Sequence, residues 1–271
     1  MKGLVKYRAR PRLRNPIMLA VWPGIGNVAM IVASYLRRKL EFKELAEIDA
    51  AYFFDPIGVS VKNNLVEAPQ FPQSNFYYWK NKNGEHDVIL FMGEDQPGSK
   101  SYELAHTVLD AGLKFQISGI YTCAAALTRI HHTEQPRVWG VATNPKLIEA
   151  LHAFGLVQAG NLQIAGLNGL LLGVAKERNV DGVCLLGEVP LYATRIPNPV
   201  AALAVLEVMV DLLEIKLDLA DMVQMAAEAR ERIKQMAAQA MGEYIDFFTE
   251  PIWERNEEGE VDDEDDEADR N

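Results

Sequence analysis

Residues 17–36 contain no charged side chain, yet Pro23-Gly24-Ile25-Gly26-Asn27 divides them near the middle. The stretch follows Lys2, Lys6, Arg8, Arg10, Arg12 and Arg14, so a signal peptide or a membrane span has to be weighed. The proline and the two glycines would break a spanning helix at its centre. They suit instead a turn between a strand, Ile17–Trp22, and a helix, Val28–Leu40. A short apolar run closed by such a turn is the pattern of a strand buried on both faces of a parallel sheet. Beyond the turn, Val28, Ile31, Val32, Tyr35 and Leu36 recur at helical spacing, and Arg37-Arg38-Lys39 complements the negative end of the helix. This strand-turn-helix unit predicts an α/β fold and a cytoplasmic protein with no membrane segment.

The middle of the chain reads mainly as β. Strands are expected at Ala50–Phe54, Gly58–Val61, Phe76–Trp79 and Val88–Met92, with a hairpin around Asn81-Lys82-Asn83-Gly84. Alternation of strand and helix then resumes. Ser99–Leu113 reads as a helix capped by Ser99 or Ser101, Ile117–Cys123 and Val138–Ala142 as strands, and Asn144-Pro145 as the start of a helix over Lys146–Phe154. Leu167–Glu177 is a further helix, Gly182–Leu186 a strand, and Pro199–Leu213 a long apolar helix. Over Asp218–Gly242, Leu219, Met222, Val223, Ala226, Ala229, Ile233, Met236, Ala237 and Ala240 form one apolar stripe. Such a stripe more simply docks on its own domain than on another subunit. The basic residues at positions 6, 8, 10, 12 and 14 would share one face of an extended edge strand. The resulting division is a basic N-terminal strand or arm over 1–16, an α/β core over 17–217, a C-terminal helical extension over 218–253 and an acidic tail over 254–271.

The tail also explains the charge. Of the net −11 over 271 residues, Glu257–Asn271 carries −9, leaving −2 for the rest. A run this acidic buries too little apolar area to offset the entropy of ordering, so disorder is expected there. A nearly neutral body without a basic tract offers a phosphate backbone few counterions to displace, which argues against nucleic acid as a partner. Cys123 and Cys184 lie in apolar strand-like runs, where free cysteine behaves as a small buried hydrophobe.

Several positions could carry chemistry. Gly24, Gly26 and Asn27 stand at a helix start, where free amides and the helix dipole favour an anion. The motif lacks the lysine of a Walker loop and the third glycine of a dinucleotide fingerprint, and a tight structural turn is the simpler account. Gly160, Gly166, Gly169 and Gly173, with Asn161 and Asn168, give enough backbone freedom to line a pocket, and close helix packing explains them equally well. Glu188 follows a strand, on the side of an open sheet where ligands gather. Glu94-Asp95-Gln96-Pro97-Gly98 reads as a polar turn. His131-His132 have no third ligand at metal spacing, so neither a metal nor a cofactor is expected. No Gly-x-Ser-x-Gly elbow occurs.

Pro23-Gly24-Ile25-Gly26-Asn27-Val28, Gly166–Tyr192 and Pro197–Ile215 together resemble the proteasome assembly chaperone family, in its bacterial and archaeal members related to proteasome assembly chaperone 2. The most specific stretch is Gly166-Leu167-Asn168-Gly169-Leu170-Leu171-Leu172-Gly173. The resemblance implies a three-layer α/β/α sandwich with a mixed, largely parallel sheet, similar to the nucleoside phosphorylase/hydrolase-like fold, with added C-terminal helices. It implies a homo-oligomer, a protein partner and a non-catalytic assembly role. By fold analogy alone, the alternative is an enzyme acting on a nucleoside or phosphorylated small molecule, with Gly24, Gly26, Asn27, Gly166, Asn168 and Glu188 around the ligand. Some archaeal members dock through a hydrophobic-Tyr-x ending. Here the last residues are Ala268-Asp269-Arg270-Asn271, so docking by that route is not expected. Asn198-Pro199 stands where Asp-Pro is common in the family, and asparagine still suits a helix cap.

Overall fold

The computed structural model describes residues 3–56, 58–158 and 160–249. Its elements, in chain order, are β1 (Val5–Tyr7), β2 (Ile17–Val21), α1 (Val28–Lys39), β3 (Lys43–Ile48), β4 (Val61–Lys62), β5 (Leu65–Val66), β6 (Ser74–Trp79), β7 (Val88–Gly93) and α2 (Ser101–Leu113). They continue with β8 (Gly119–Thr128), β9 (Val138–Ala142), α3 (Pro145–Leu151), β10 (Val157–Gln158), α4 (Gly166–Glu177), β11 (Gly182–Pro190), α5 (Pro199–Leu212) and α6 (Ala220–Thr249).

Nine strands form one mixed sheet in the order β1-β3-β6-β7-β2-β8-β11-β9-β10. Strands β7, β2, β8 and β11 run parallel through its centre, while β1, β3 and β6 join one flank antiparallel and β9 pairs antiparallel with β11 on the other. The charge-free run occupies the middle position because it has no polar face to offer. Ile17, Leu19 and Val21 enter the core shared with α1 and α5, while Met18, Ala20 and Trp22 enter the core shared with α2 and α4. Full burial of one such aliphatic side chain contributes about 1.5–3 kcal/mol. Helices α1 and α5 make one outer layer and α2 and α4 the other, so the molecule is a three-layer sandwich.

Helix α5 is apolar nearly all round, and Pro199–Leu206 is buried throughout. Met222 and Ala226 of α6 join the same core, so the start of the apolar stripe docks on its own domain. One compact unit ends at Arg230, and α6 continues beyond it as a second. The side chains at 237 and 240, and the tail over 254–271, lie outside the described residues.

The structure corrects the middle of the chain. The strand expected at Ala50–Phe54 lies earlier, at Lys43–Ile48, and Ala50–Tyr52 is a short 3-10 turn whose start Asp49 caps through Ala51 N. Lys43–Ile48 has the composition of a helix, but pairing with β1 on one side and β6 on the other decides its state. Gly58–Val61 is reduced to the two-residue strand β4, which forms a separate ribbon with β5. In the basic arm only Val5–Tyr7 pairs, at the sheet edge, although positions 6, 8, 10, 12 and 14 are all exposed as the alternation requires. Arg8 answers Glu44 at 2.9 Å and Glu47 at 2.5 Å on β3. Neither Ser99 nor Ser101 caps α2. Ser101 Oγ donates to Pro97 O at 2.9 Å, and Lys100 enters the helix in the left-handed region at φ 60°. The Asn144 cap holds, with its Oδ1 accepting Leu147 N at 3.1 Å.

Candidate functional site

The parallel strands end on one rim of the sheet. There the chain leaves β2 through Trp22 and turns in a 3-10 step over Ile25–Asn27 before α1. Gly26 has φ +60°, the left-handed region that favours glycine, and a Cβ on it would stand 3.1 Å from Asn198 Cβ. Its carbonyl accepts Asn198 N at 2.7 Å and its N–H donates to Thr194 O at 3.4 Å. Asn198 in turn caps α5, its Oδ1 accepting Ala201 N at 2.9 Å. Asn27 N donates to Gly24 O at 2.9 Å, and the Asn27 side chain is exposed and caps nothing. The amides of Gly26 and Asn27 are therefore engaged within the protein, and the turn works as a joint between β2, α1 and the start of α5.

On the other face, Asn168 in the first turn of α4 reaches back to the end of β2. Its Oδ1 accepts Trp22 N at 3.1 Å and its Nδ2 donates to Trp22 O at 3.3 Å, all in the interior. Gly24 lies beside it, since a Cβ there would stand 3.8 Å from Asn168 Nδ2. Gln96, just past β7, completes the joint by donating from Nε2 to Pro23 O at 2.6 Å and accepting Leu167 N at 2.8 Å. Gly166, at φ +76°, lets the chain pass against the Gln96 amide. The structure thus brings Gly24, Gly166 and Asn168 together. Gln96 is the member that sequence reasoning missed; its only signal was a polar side chain directly after a buried strand.

Glu188 stands apart from that joint. It lies on β11, where Gly187 faces α5: a Cβ on Gly187 would meet Ala201 O at 2.7 Å. Alternation along the strand turns Glu188 to the opposite face. Its carboxylate, 1% exposed, accepts Arg137 N at 2.9 Å, Arg137 Nη2 at 3.0 Å and Trp139 Nε1 at 3.1 Å. Burial pushes this carboxyl up, but the hydrogen bonds from the Arg137 side chain and backbone and from Trp139 outweigh it and hold the group below the ordinary glutamate range. The carboxylate is thereby the polar tie between β11 and the start of β9.

The remaining reactive groups are scattered. Cys123 and Cys184 are buried, and desolvation pushes the Cys184 thiol up to about 12. His132 N donates to the Tyr192 hydroxyl at 2.9 Å. Among the described residues no three His, Cys, Asp or Glu side chains converge as a metal site, and no helix is long and apolar enough to cross a membrane.

A three-layer sandwich whose central parallel strands end in a glycine turn, locked to two helix starts by buried asparagines, defines a scaffold class. Within that class, the profile of the PAC2 family matches residues 18–237, and the chain belongs to this family. PbaB of Pyrococcus furiosus, described as an archaeal proteasome activator, is 27% identical and superposes with a TM-score of 0.71, covering 86% of this chain and 98% of that one. PbaA of the same organism, described as an archaeal homolog of proteasome-assembly chaperone, shares the fold with a TM-score of 0.66 at 22% identity, over 89% of this chain and 99% of that one. An uncharacterized protein of Methanocaldococcus jannaschii is 25% identical over 228 residues, 83% of this chain and 84% of its own.

Proposed function

We propose that this chain is a non-catalytic, oligomeric protein-binding factor of the cytoplasm that acts on the proteasome, in its assembly or its activation. The observation that carries the reading is the likeness to PbaB, which extends over 98% of that proteasome activator at 27% identity. The rim supports it. Gln96 and Asn168 use their side-chain amides, and Asn198 its backbone N–H, to hold the chain's own elements together, and Glu188 uses its carboxylate in the same way. Ile25, Leu127, Leu191 and Tyr192, by contrast, are exposed near the ends of the same strands. Exposed apolar side chains beside a rigid scaffold suit a protein partner.

Size-exclusion chromatography with light scattering tests the proposal. The purified chain is expected at a multiple of 30.3 kDa, and it should co-elute with proteasome subunits of the same organism. A 30.3 kDa monomer that co-elutes with no proteasome subunit would overturn it.

A further inference from the structure

A cleft of about 740 Å³ lies between the chain that follows β3 and the carboxyl end of β7. Its volume falls within the range of roughly 300–1,000 Å³ typical of ligand sites. It opens beside the strand ends where ligands of open α/β sheets gather. The apolar side is aromatic: Phe53 and Phe54 are buried, Phe71 is half-buried, and Val59 stands 52% exposed.

The charge on the cleft has one sign. Asp55 and Asp95 line it and are exposed, and among the described residues no lysine or arginine does. The neighbouring Lys100 is engaged elsewhere: its Nζ donates to Tyr52 O at 2.7 Å and lies 4.2 Å from the centre of the Tyr52 ring. Carboxylates beside a low-dielectric aromatic wall, with no cation in the lining, favour a positively charged occupant. In these walls residues 55–56, 58–60 and 70–72 belong to no helix or strand, and Ser60 O is taken by Glu67 N at 2.9 Å. Backbone outside helix and strand beside apolar pockets is the setting in which extended peptides are held, with main-chain bonds giving affinity and alternate side chains giving specificity.

We propose that this cleft captures an extended peptide segment carrying a basic side chain between apolar ones. The apolar residues lie against Phe53, Phe54, Phe71 and Val59, and the cation pairs with Asp55 and Asp95. Gln96 connects this cleft to the rim joint, because Asp95 Oδ1 accepts its N–H at 2.7 Å while its side chain holds Pro23 O and Leu167 N. Occupancy therefore bears on the residue that pins the start of α4.

Fluorescence anisotropy with the purified full chain, no proteasome subunit present, separates this site from the assembly reading. The probe is a labelled heptapeptide alternating leucine and arginine. The expected result is saturable binding, weakened about fivefold or more in the double variant Asp55→Asn with Asp95→Asn, at an unchanged melting temperature. Asparagine at 95 keeps the acceptor for Gln96 N, so the fold is not the variable. Equal binding of a leucine–glutamate heptapeptide, or unchanged affinity in the double variant, would overturn the proposal. So would full displacement of the probe by equimolar phenethylamine, which would make the cleft a small-amine site.

Discussion

Asn168→Ala is the sharpest test of the rim joint. Trp22 is fully buried, and Asn168 answers both its N–H and its carbonyl. Truncation removes both hydrogen bonds and strands two buried backbone groups, and at about 1–3 kcal/mol for each stranded group the cost falls within about 2–6 kcal/mol. The expected loss is about 3 kcal/mol, or roughly 6–12 °C in melting temperature for a domain of this size. Urea denaturation followed by far-UV circular dichroism measures it. Asn168→Asp refines the test, because it keeps the shape but points a carboxylate at Trp22 O. Its ionised form is disfavoured in the folded state, so its folded pKa lies above the unfolded one. The variant should therefore regain stability as pH falls below that raised value, when the protonated acid again has an O–H to donate. Alanine has nothing to titrate and should show no such recovery relative to the parent. A loss under 1 kcal/mol for Asn168→Ala, taken with no low-pH recovery for Asn168→Asp, would refute the claim that these two bonds lock α4 to β2.

Two further outcomes follow from the same geometry. The folded pKa of Glu188 is depressed, so its contribution to stability is present above the unfolded carboxylate value and fades as pH falls through the folded one. Glu188→Gln should therefore flatten the acid limb of the stability–pH curve, and an unchanged limb in acid titration by fluorescence would count against that tie. Gly187→Ala would place a methyl 2.7 Å from the Ala201 carbonyl on α5 and should cost about 1–3 kcal/mol through overpacking. A wild-type melting curve for that variant would show that α5 yields freely.

Local signals made part of this molecule legible. The charge-free run at 17–22, its proline-glycine turn and the helical spacing after it defined β2 and α1 because each depends on neighbours in sequence. The asparagines at 144 and 198 were readable as helix starts for the same reason, since a cap bonds only two or three residues ahead. Lys43–Ile48 was not legible: its helix-like composition points away from a strand until β1 and β6 flank it. Among the candidate site residues, Gly24, Gly166 and Asn168 do meet, whereas Glu188 is held by Trp139 of β9 and by Arg137 just before it. Gln96 acquires its role only because β7 ends beside both the β2 turn and α4.

The sequence by itself determined the periodicities, the breaks and the caps, and with them the layered α/β class. These are short-range consequences of backbone sterics and of which faces can be buried. Only the tertiary structure decided which polar groups would answer one another across the sheet. That depends on strand order and register, and the partners lie 51 residues apart for Arg137 with Glu188 and 146 for Trp22 with Asn168.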